Sequence, residues 1–317
     1  MDLKVNKVIK LYRGRGFLQG SAALLREIYG AVLKTLFNRQ FVSRKIYQYE
    51  MILDLYDKGI SRTLWLFGQR ELDHKWILEK TLKPGNKMLD IGSNIGYYAL
   101  MESALVGVSG ELIAIEPSPG NVDLLKRNLL LNSVKNVTVI QGAVSNFDGH
   151  DTFWLAAESN LNTFHKAFLE EKSGAVKQIE VAVSSIRHLV EEHGEIDFVR
   201  MDIEGHEVEV LGDLATLAEE SDLRPAVIFE THTRAYTDQH DIAPVLRRLF
   251  AAGYSAKYVA SSTKTGTKIL EAKGLPAIHK VRTDDVIRSI HQEVPESVLL
   301  SCLTDTGGIR TVFLAAT

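Results

Sequence analysis

The stretch Lys87-Met88-Leu89-Asp90-Ile91-Gly92-Ser93-Asn94-Ile95-Gly96-Tyr97 decides the fold. A short apolar run leads directly into a turn flanked by two glycines, and a helical pattern follows from Tyr97 to Val106. Glycines let the backbone pass close to a ligand, and the start of a helix offers free N–H groups. We therefore predict a strand, a cofactor-binding loop at residues 90–96, and a helix.

The rest of the chain repeats this alternation of short apolar runs and helical patterns, which predicts an α/β protein with parallel βαβ units. Seven strands are predicted: Lys87–Ile91, Glu111–Ile115, Val137–Ala143, Ile196–Met201, Ala226–Glu230, Tyr254–Val259 and Thr311–Ala315. Two segments interrupt the alternation, at about 147–183 and 261–309. We expect such insertions to shape a substrate pocket, because loops on a fixed scaffold carry specificity.

Residues 1–75 are predicted to form a helical N-terminal extension, and residues 76–317 the α/β domain. Leu24, Leu25, Ile28, Tyr29, Val32, Leu33 and Leu36 recur at helical spacing. A second helix is predicted from Tyr47 to Tyr56. The apolar stretch from Phe17 to Phe37 contains three charged residues, so a membrane span is not expected there.

Charge is distributed unevenly along the chain. The net charge of −3 argues against a general nucleic-acid binder, yet residues 1–45 contain ten basic and two acidic residues, a net of +8. This arm is expected to contact an anionic surface or a phosphate-bearing substrate, or else to serve as a lid or a homodimer contact. The single cysteine, Cys302, fits a reducing, cytoplasmic location and is expected to be a buried small side chain.

The loop differs from a dinucleotide fingerprint, because its glycines are four apart, the middle glycine is missing, and the loop begins with Asp90. A carboxylate there would repel a pyrophosphate but suits the cationic amino-acid end of S-adenosylmethionine. Glu116 ends the next strand, where an acid accepts hydrogen bonds from ribose hydroxyls. The residues predicted to bind the cofactor are Asp90, Gly92, Ser93, Asn94, Gly96, Tyr97, Glu116, Pro117, Gln141, Gly142, Ala143 and Asp202.

Three motifs resemble those of the FkbM family of methyltransferases, together with the closing apolar strand. They are Met88 to Tyr98, Ile115-Glu116-Pro117, and Met201-Asp202-Ile203-Glu204-Gly205-His206-Glu207. The resemblance covers roughly residues 70–260 and the last strand. It implies a Rossmann-like class I methyltransferase fold, with a seven-stranded, mostly parallel sheet whose last strand is antiparallel. It also implies S-adenosylmethionine as cofactor and O-methylation of a saccharide or another small molecule.

Ligands bind beyond the carboxyl ends of the strands in an open α/β sheet. Asp202, Glu204 and His206 follow the fourth predicted strand, while Glu230 and His232 close the fifth. We expect these five side chains to converge near the transferred methyl group. His232 is predicted to be the general base that accepts the proton of the acceptor hydroxyl, with Asp202 as the next candidate.

Several alternatives remain at this stage. His206 could instead cap its helix or face solvent, and His165, His188 and His193 are interpreted as surface residues. A divalent ion on Asp202, Glu230 and His232 is chemically reasonable, but the spacing is no recognised metal motif and no metal is predicted. A nicotinamide-dependent oxidoreductase and a non-catalytic S-adenosylmethionine-binding module are the competing functions.

Overall fold

The computed structural model describes residues 17–156, 158–165 and 177–316. Its main sheet has nine strands, which in chain order are β3 (Lys87–Ile91), β4 (Glu111–Glu116), β5 (Val137–Gln141), β9 (Phe198–Met201), β10 (Ala226–Glu230), β11 (Tyr254–Ser261), β12 (His279–Thr283), β13 (Val286–Val294) and β14 (Ile309–Ala316). Their order in space is β12-β13-β11-β14-β10-β9-β3-β4-β5. The switch point therefore lies between β3 and β9.

The strand order and directions are those of a class I methyltransferase fold. Strands β5, β4, β3, β9 and β10 pair in parallel, whereas β14 is antiparallel to both β10 and β11. The predicted fold is thus confirmed, but the count of seven strands is wrong. The segment 261–309 contributes β12 and β13, which extend the sheet beyond β11 because their backbone groups pair with its open edge.

Helices cover both faces of this sheet, because its buried strands are apolar on both sides. They are α1 (Phe17–Phe37), α2 (Ile60–Phe67), α3 (Leu72–Thr81), α4 (Tyr97–Val106), α5 (Pro119–Leu131), α6 (Ile186–His193), α7 (Glu207–Glu220), α8 (Ile242–Ala251), α9 (Lys264–Ala272) and α10 (Glu296–Ser301). One core packs α6 to α8 on the sheet, and the other packs α2 to α5 on the opposite face. Cys302 is fully buried in the first core, as predicted.

The predicted helix at Tyr47–Tyr56 is wrong, because this segment forms half of a β-hairpin. Strands β1 (Phe41–Ile46) and β2 (Tyr49–Asp54) are antiparallel, and alternate residues of β2 are buried. The hairpin packs on α5, whose Asn128 Oδ1 accepts a hydrogen bond from the Ile52 N–H at 2.7 Å. Asn132 Oδ1 accepts one from the Glu50 N–H at 2.9 Å. The N-terminal segment is therefore packed on the α/β domain in part through strands.

Several basic residues of the N-terminal arm form hydrogen bonds within the fold. Arg26 Nη1 donates to the Leu66 carbonyl at 2.8 Å, and Lys34 Nζ donates to the Leu55 carbonyl at 3.2 Å. Arg44 Nη1 donates to the Leu64 carbonyl at 2.6 Å. The other half of the predicted arm, Lys4, Lys7, Lys10, Arg13 and Arg15, lies outside the described residues. Among the helices that the structure describes, none is long and apolar enough to cross a membrane.

The interruption after β5 forms a small second sheet. Strands β6 (Ala143–Val144), β7 (Gly149–Leu155) and β8 (Lys177–Ser184) form it in the order β6-β8-β7, with β7 and β8 antiparallel. The third predicted strand therefore ends at Gln141, and Ala143 belongs to this second sheet. Residues 158–165, which follow β7, pass over the carboxyl ends of β3 and β4. We call these residues the roof segment.

Candidate active site

The loop between β3 and α4 bends sharply because two of its glycines adopt positive φ. Gly92 has φ 80°, and a Cβ atom there would lie 2.4 Å from the Asp202 carbonyl oxygen. Gly96 has φ 90°, and its Cβ atom would lie 2.7 Å from a methyl group of Leu125. Asn94 adopts φ 50°, a conformation that asparagine tolerates better than most residues. The backbone thus approaches the end of β9 as closely as packing allows.

Glu116 closes this loop from the neighbouring strand. Its carboxylate accepts hydrogen bonds from the Asn94 N–H at 2.9 Å, the Ser118 N–H at 2.9 Å and Asn121 Nδ2 at 3.0 Å. Burial raises the pKa of Glu116 to about 7, against these hydrogen bonds, which lower it. A carboxylate has about four lone-pair sites, so this one retains capacity for a ligand hydroxyl.

A cavity with about 510 Å³ of empty space, including its open mouth, lies over the loop. Of the residues predicted to bind the cofactor, those that line it are Gly92, Asn94, Glu116, Pro117, Gly142, Ala143 and Asp202. Ser159, Asn162 and Phe164 of the roof segment and Phe153 of β7 also line the cavity. The insertion at 147–183 thus contributes to the pocket.

Five predicted cofactor residues lie outside the described lining: Asp90, Ser93, Gly96, Tyr97 and Gln141. Asp90 is fully buried behind the loop, and its Oδ1 accepts a hydrogen bond from Arg200 Nη1 at 2.9 Å. The same guanidinium donates to the Gly92 carbonyl at 3.2 Å and to Asp202 Oδ2 at 3.4 Å. Asp90 is therefore neutralised by the protein, which differs from the expected direct contact with a cationic ligand.

Ser93 and Tyr97 are also tied to protein groups. Ser93 Oγ donates to the Asp90 carbonyl at 2.8 Å, and the Tyr97 hydroxyl donates to the Arg70 carbonyl at 2.9 Å. Gln141 is exposed at the end of β5. These contacts make Ser93 and Tyr97 supports of the loop.

Four of the five predicted catalytic side chains meet around one histidine. His232 Nε2 lies 3.8 Å from Asp202 Oδ1, 3.6 Å from Glu204 Oε2 and 3.6 Å from Glu230 Oε1. Its other nitrogen, Nδ1, lies 2.8 Å from Oε1 of the fully buried Glu207. We call Asp202, Glu204, Glu230 and His232 the acid–histidine cluster.

The electrostatics of this cluster follow from its burial and its neighbours. Burial alone would lower the pKa of His232, but Glu207, with Glu204 and Glu230, raises it well above the usual value. Burial raises the pKa of Glu230 to about 8, against the attraction of Arg310 and with the repulsion of Asp202. Arg310 Nη1 lies 2.5 Å from Glu230 Oε1 and its Nη2 lies 3.3 Å from Glu71 Oε1. In the resting protein His232 thus carries a proton.

His206, the fifth predicted catalytic residue, lies apart from this cluster. It occupies the position before α7 without capping it, is 7% exposed, and its Nε2 lies 2.9 Å from Ser145 Oγ. It lines the cavity next to Phe164, with ring centroids 4.4 Å apart. Three histidines were predicted to lie at the surface. His188 is half exposed, as predicted. The prediction is wrong for His165 and His193, because each is only partly exposed and has a buried ring nitrogen.

Four residues that reasoning from the sequence did not select shape the site: Glu71, Arg200, Glu207 and Arg310. Glu207 lies in the quoted Asp202-to-Glu207 motif, and Arg200 is a charged residue in a buried apolar strand, which is a usable signal because such a charge needs a partner. Glu71 and Arg310 come from distant parts of the chain, and no local pattern connects them to the cluster.

Within the described part of the chain, three groups of side chains could hold a metal ion: Asp202, Glu204 and His232; Glu71, Asp202 and Glu230; and His165, His206 and Glu209. The first two overlap the sequence-based alternative of Asp202, Glu230 and His232. In both of these, arginines already pair with the carboxylates.

The strand order, the glycine loop and the acid that ends β4 define a class I methyltransferase. The family model described as "Methyltransferase FkbM domain" matches residues 90–256, which is more than half of the chain. The chain therefore belongs to the FkbM methyltransferase family, an S-adenosylmethionine-dependent family, and this settles the cofactor against the nicotinamide alternative.

The curated relatives match short stretches of this chain. The protein-L-isoaspartate O-methyltransferase of Methanothrix thermoacetophila is 38% identical over 61 residues, 19% of this chain and 29% of the relative. The probable cobalt-precorrin-6B C(15)-methyltransferase of Sulfolobus acidocaldarius is 36% identical over 58 residues, 18% of this chain and 30% of the relative. The matched segments thus span less than a third of these relatives' length.

Among solved structures, the methyltransferase FkbM from Methylobacillus flagellatus is 15% identical, with a TM-score of 0.39. The alignment covers 73% of this chain and 54% of that one. M. jannaschii TYW2 in complex with AdoMet is 13% identical with a TM-score of 0.40, and 88% of each chain is covered.

Proposed function

We propose that this methyltransferase transfers the methyl group of S-adenosylmethionine to a hydroxyl group of a saccharide or another small molecule. One observation carries the proposal: Asp202 and Glu204 line the cofactor cavity and also belong to the acid–histidine cluster. A hydroxyl bound between this cluster and the cavity would meet a proton acceptor and the methyl donor together.

The cofactor is proposed to bind in the cavity lined by Gly92, Asn94 and Glu116. Glu116 would accept hydrogen bonds from the ribose hydroxyls, while Pro117, Gly142 and Ala143 would contact the adenine. Gly96, Ser93 and Tyr97 would hold the loop in shape from behind. Asp90 would act through Arg200, which links the loop to Asp202.

In the proposed reaction the acceptor oxygen attacks the methyl carbon in line with the breaking carbon–sulfur bond. A carbon–oxygen bond would form as the carbon–sulfur bond breaks and S-adenosylhomocysteine leaves. The hydroxyl proton would pass to Nε2 of His232 in its deprotonated form and then to solvent. Glu207 orients the imidazole and makes it a stronger base, as a buried carboxylate does for a catalytic histidine. Asp202 and Glu230 position the hydroxyl, and Glu204 and His206 shape the wall of the cavity.

The raised pKa of His232 gives this assignment a distinct pH dependence. Because the base must be unprotonated to accept a proton, kcat/KM should increase with pH until the pKa of His232 is passed. Glu207→Gln removes the charge that raises this pKa, so the rising limb should move to lower pH while the maximum rate falls.

The test measures S-adenosylhomocysteine release and the methylated atom of the product over a panel of hydroxylated compounds. His232→Gln should lower kcat at least 100-fold, the scale of general base catalysis, with unchanged cofactor affinity. His188→Gln on the exposed face of α6 is the matched control and should behave as wild type. Full activity of His232→Gln would refute the base assignment, and binding without transfer to any compound would favour a non-catalytic module.

The acceptor is proposed to be a small molecule and not a nucleic acid, because the net charge of −3 and the acidic residues of the cluster disfavour a polyphosphate. A nucleic-acid product in the same assay would overturn this point. The cytoplasmic location, the homodimer and the contact of the basic arm with an anionic surface stay predictions.

A further inference from the structure

A second group of titratable side chains includes His206 and shares no residue with the acid–histidine cluster. His165 comes from the roof segment, His206 and Glu209 from the start of α7, and His240 from the residues before α8. The ring centroid of His165 lies 5.6 Å from that of His206 and 5.0 Å from that of His240. Single ligand atoms of His165, His206 and Glu209 all lie within 4.8 Å of one another.

Two of these histidines have a buried ring nitrogen without a hydrogen-bond partner, namely His165 Nε2 and His206 Nδ1. The opposite nitrogen of His206 lies 2.9 Å from Ser145 Oγ, so this side chain is held with Nδ1 turned toward Glu209. A buried polar atom without a partner is energetically unfavourable, and a bound ion can supply the missing partner.

The spacing and the surroundings fit a tetrahedral metal ion. With zinc–ligand distances of about 2.0–2.2 Å, neighbouring ligand atoms lie about 3.4 Å apart. His206 Nδ1 and Glu209 Oε2 are separated by 3.4 Å. His240 Nε2 lies 2.9 and 3.0 Å from the two Glu209 oxygens, and its Nδ1 lies 2.9 Å from the Ala235 carbonyl. Outer residues of this kind orient the ligands of metal sites.

We propose that His165, His206 and Glu209 bind one divalent transition-metal ion of the zinc type, with His240 orienting Glu209. Two imidazoles and one carboxylate are a ligand set that zinc prefers over magnesium or calcium. The ion would join the roof segment to the start of α7 and so fix the wall that Phe164 and His206 form over the cofactor cavity. The site is independent of the identity of the methyl acceptor.

The experiment uses the full chain without a histidine tag, stripped with a chelator and passed through a desalting column. Co²⁺ is titrated while its visible absorption is followed, then Zn²⁺ is added in competition, and bound zinc is measured by elemental analysis. One equivalent of zinc should remain bound, and it should displace the cobalt signal of a tetrahedral site. Zinc should also raise the melting temperature of the wild-type protein.

His165→Gln and Glu209→Gln should each weaken zinc binding at least 100-fold and remove the zinc-dependent rise in melting temperature. His188→Gln, which alters an exposed histidine of α6, should bind one equivalent as wild type does. If one variant fails to fold, the other variant and the zinc stoichiometry of the wild-type protein still test whether the site binds zinc. Wild-type protein that retains no zinc, or ligand variants that bind as tightly as wild type, would overturn the proposal. Neither outcome depends on methyl transfer.

Discussion

At the scale of single residues, Glu116 is the clearest link between burial and ligand binding. Its pKa is raised to about 7 by burial, so the carboxyl is protonated below that pH and ionised above it. The ionised form accepts hydrogen bonds from ribose hydroxyls more strongly. We predict that the affinity for S-adenosylhomocysteine, measured by calorimetry, increases between pH 6 and pH 8.

Glu116→Gln should weaken binding about tenfold at pH 8, the scale of a lost charged hydrogen bond, and should remove the pH dependence. Glu111→Gln at the half-exposed start of β4 is the matched control and should leave the curve unchanged. A glutamine variant that keeps the wild-type curve would show that another group titrates.

Residues at strand ends were the ones that the sequence could place, because parallel strands carry their ligands at one edge. Glu116, Asp202, Glu230 and His232 were all predicted in this way, and the structure brings them to that edge. The sequence did not predict the pairing of Asp90 with Arg200, because Arg200 is 110 residues away and the pairing depends on the register of β3 with β9. The arginines that balance the buried acids could not be assigned without the fold.

At the scale of elements, the turn from β3 into α4 depends on Gly92. Alanine at φ 80° costs roughly 1–2 kcal/mol for the left-handed backbone alone, and its Cβ atom would also lie 2.4 Å from the Asp202 carbonyl oxygen. The loop must then move away from β9, and this movement would widen the cavity that the loop lines. We predict that Gly92→Ala lowers the affinity for S-adenosylhomocysteine at least tenfold and lowers the free energy of unfolding in urea.

Gly212→Ala is the matched control for this substitution. Gly212 lies within α7, where a Cβ atom would meet nothing within 4 Å. Alanine there should raise the free energy of unfolding by about 0.5–1 kcal/mol, because glycine is a poor helix former, with unchanged cofactor affinity. Equal behaviour of the two variants would mean that the contact with Asp202 has no influence on the loop.

The strands of the parallel core were predictable because each is a short apolar run between turn signals, and β3 and β10 match their predicted bounds. The hairpin of β1 and β2 was not. In β2, Tyr49, Met51 and Leu53 are buried, but Ile52 interrupts the alternation with an apolar residue on the other face. Its backbone finds partners on Asn128, a residue of α5 that no local pattern connects to it.

At the scale of the whole molecule, the cofactor cavity joins parts of the chain that are distant in sequence. Gly92 and Glu116 come from one half of the sheet, Asp202 from the switch point, and Ser159 from the roof segment. The fold class followed from the alternation of strands and helices, but the addition of β12 and β13 to the sheet did not. Edge pairing between distant strands depends on backbone groups that every sequence has.

Because the cavity spans these parts, a bound cofactor should stabilise the whole fold. A ligand present at about 100 times its Kd stabilises the native state by about 2.7 kcal/mol. For a domain of this size we predict that S-adenosylhomocysteine raises the melting temperature by roughly 5 °C. NAD at the same concentration should leave it unchanged, because the carboxylates of Asp202 and Glu204 in the cavity wall disfavour a pyrophosphate. The control is Gly92→Ala, which should lose most of the shift while Gly212→Ala retains it. A shift with NAD, or an equal shift in both glycine variants, would mean that the ligand binds outside this cavity.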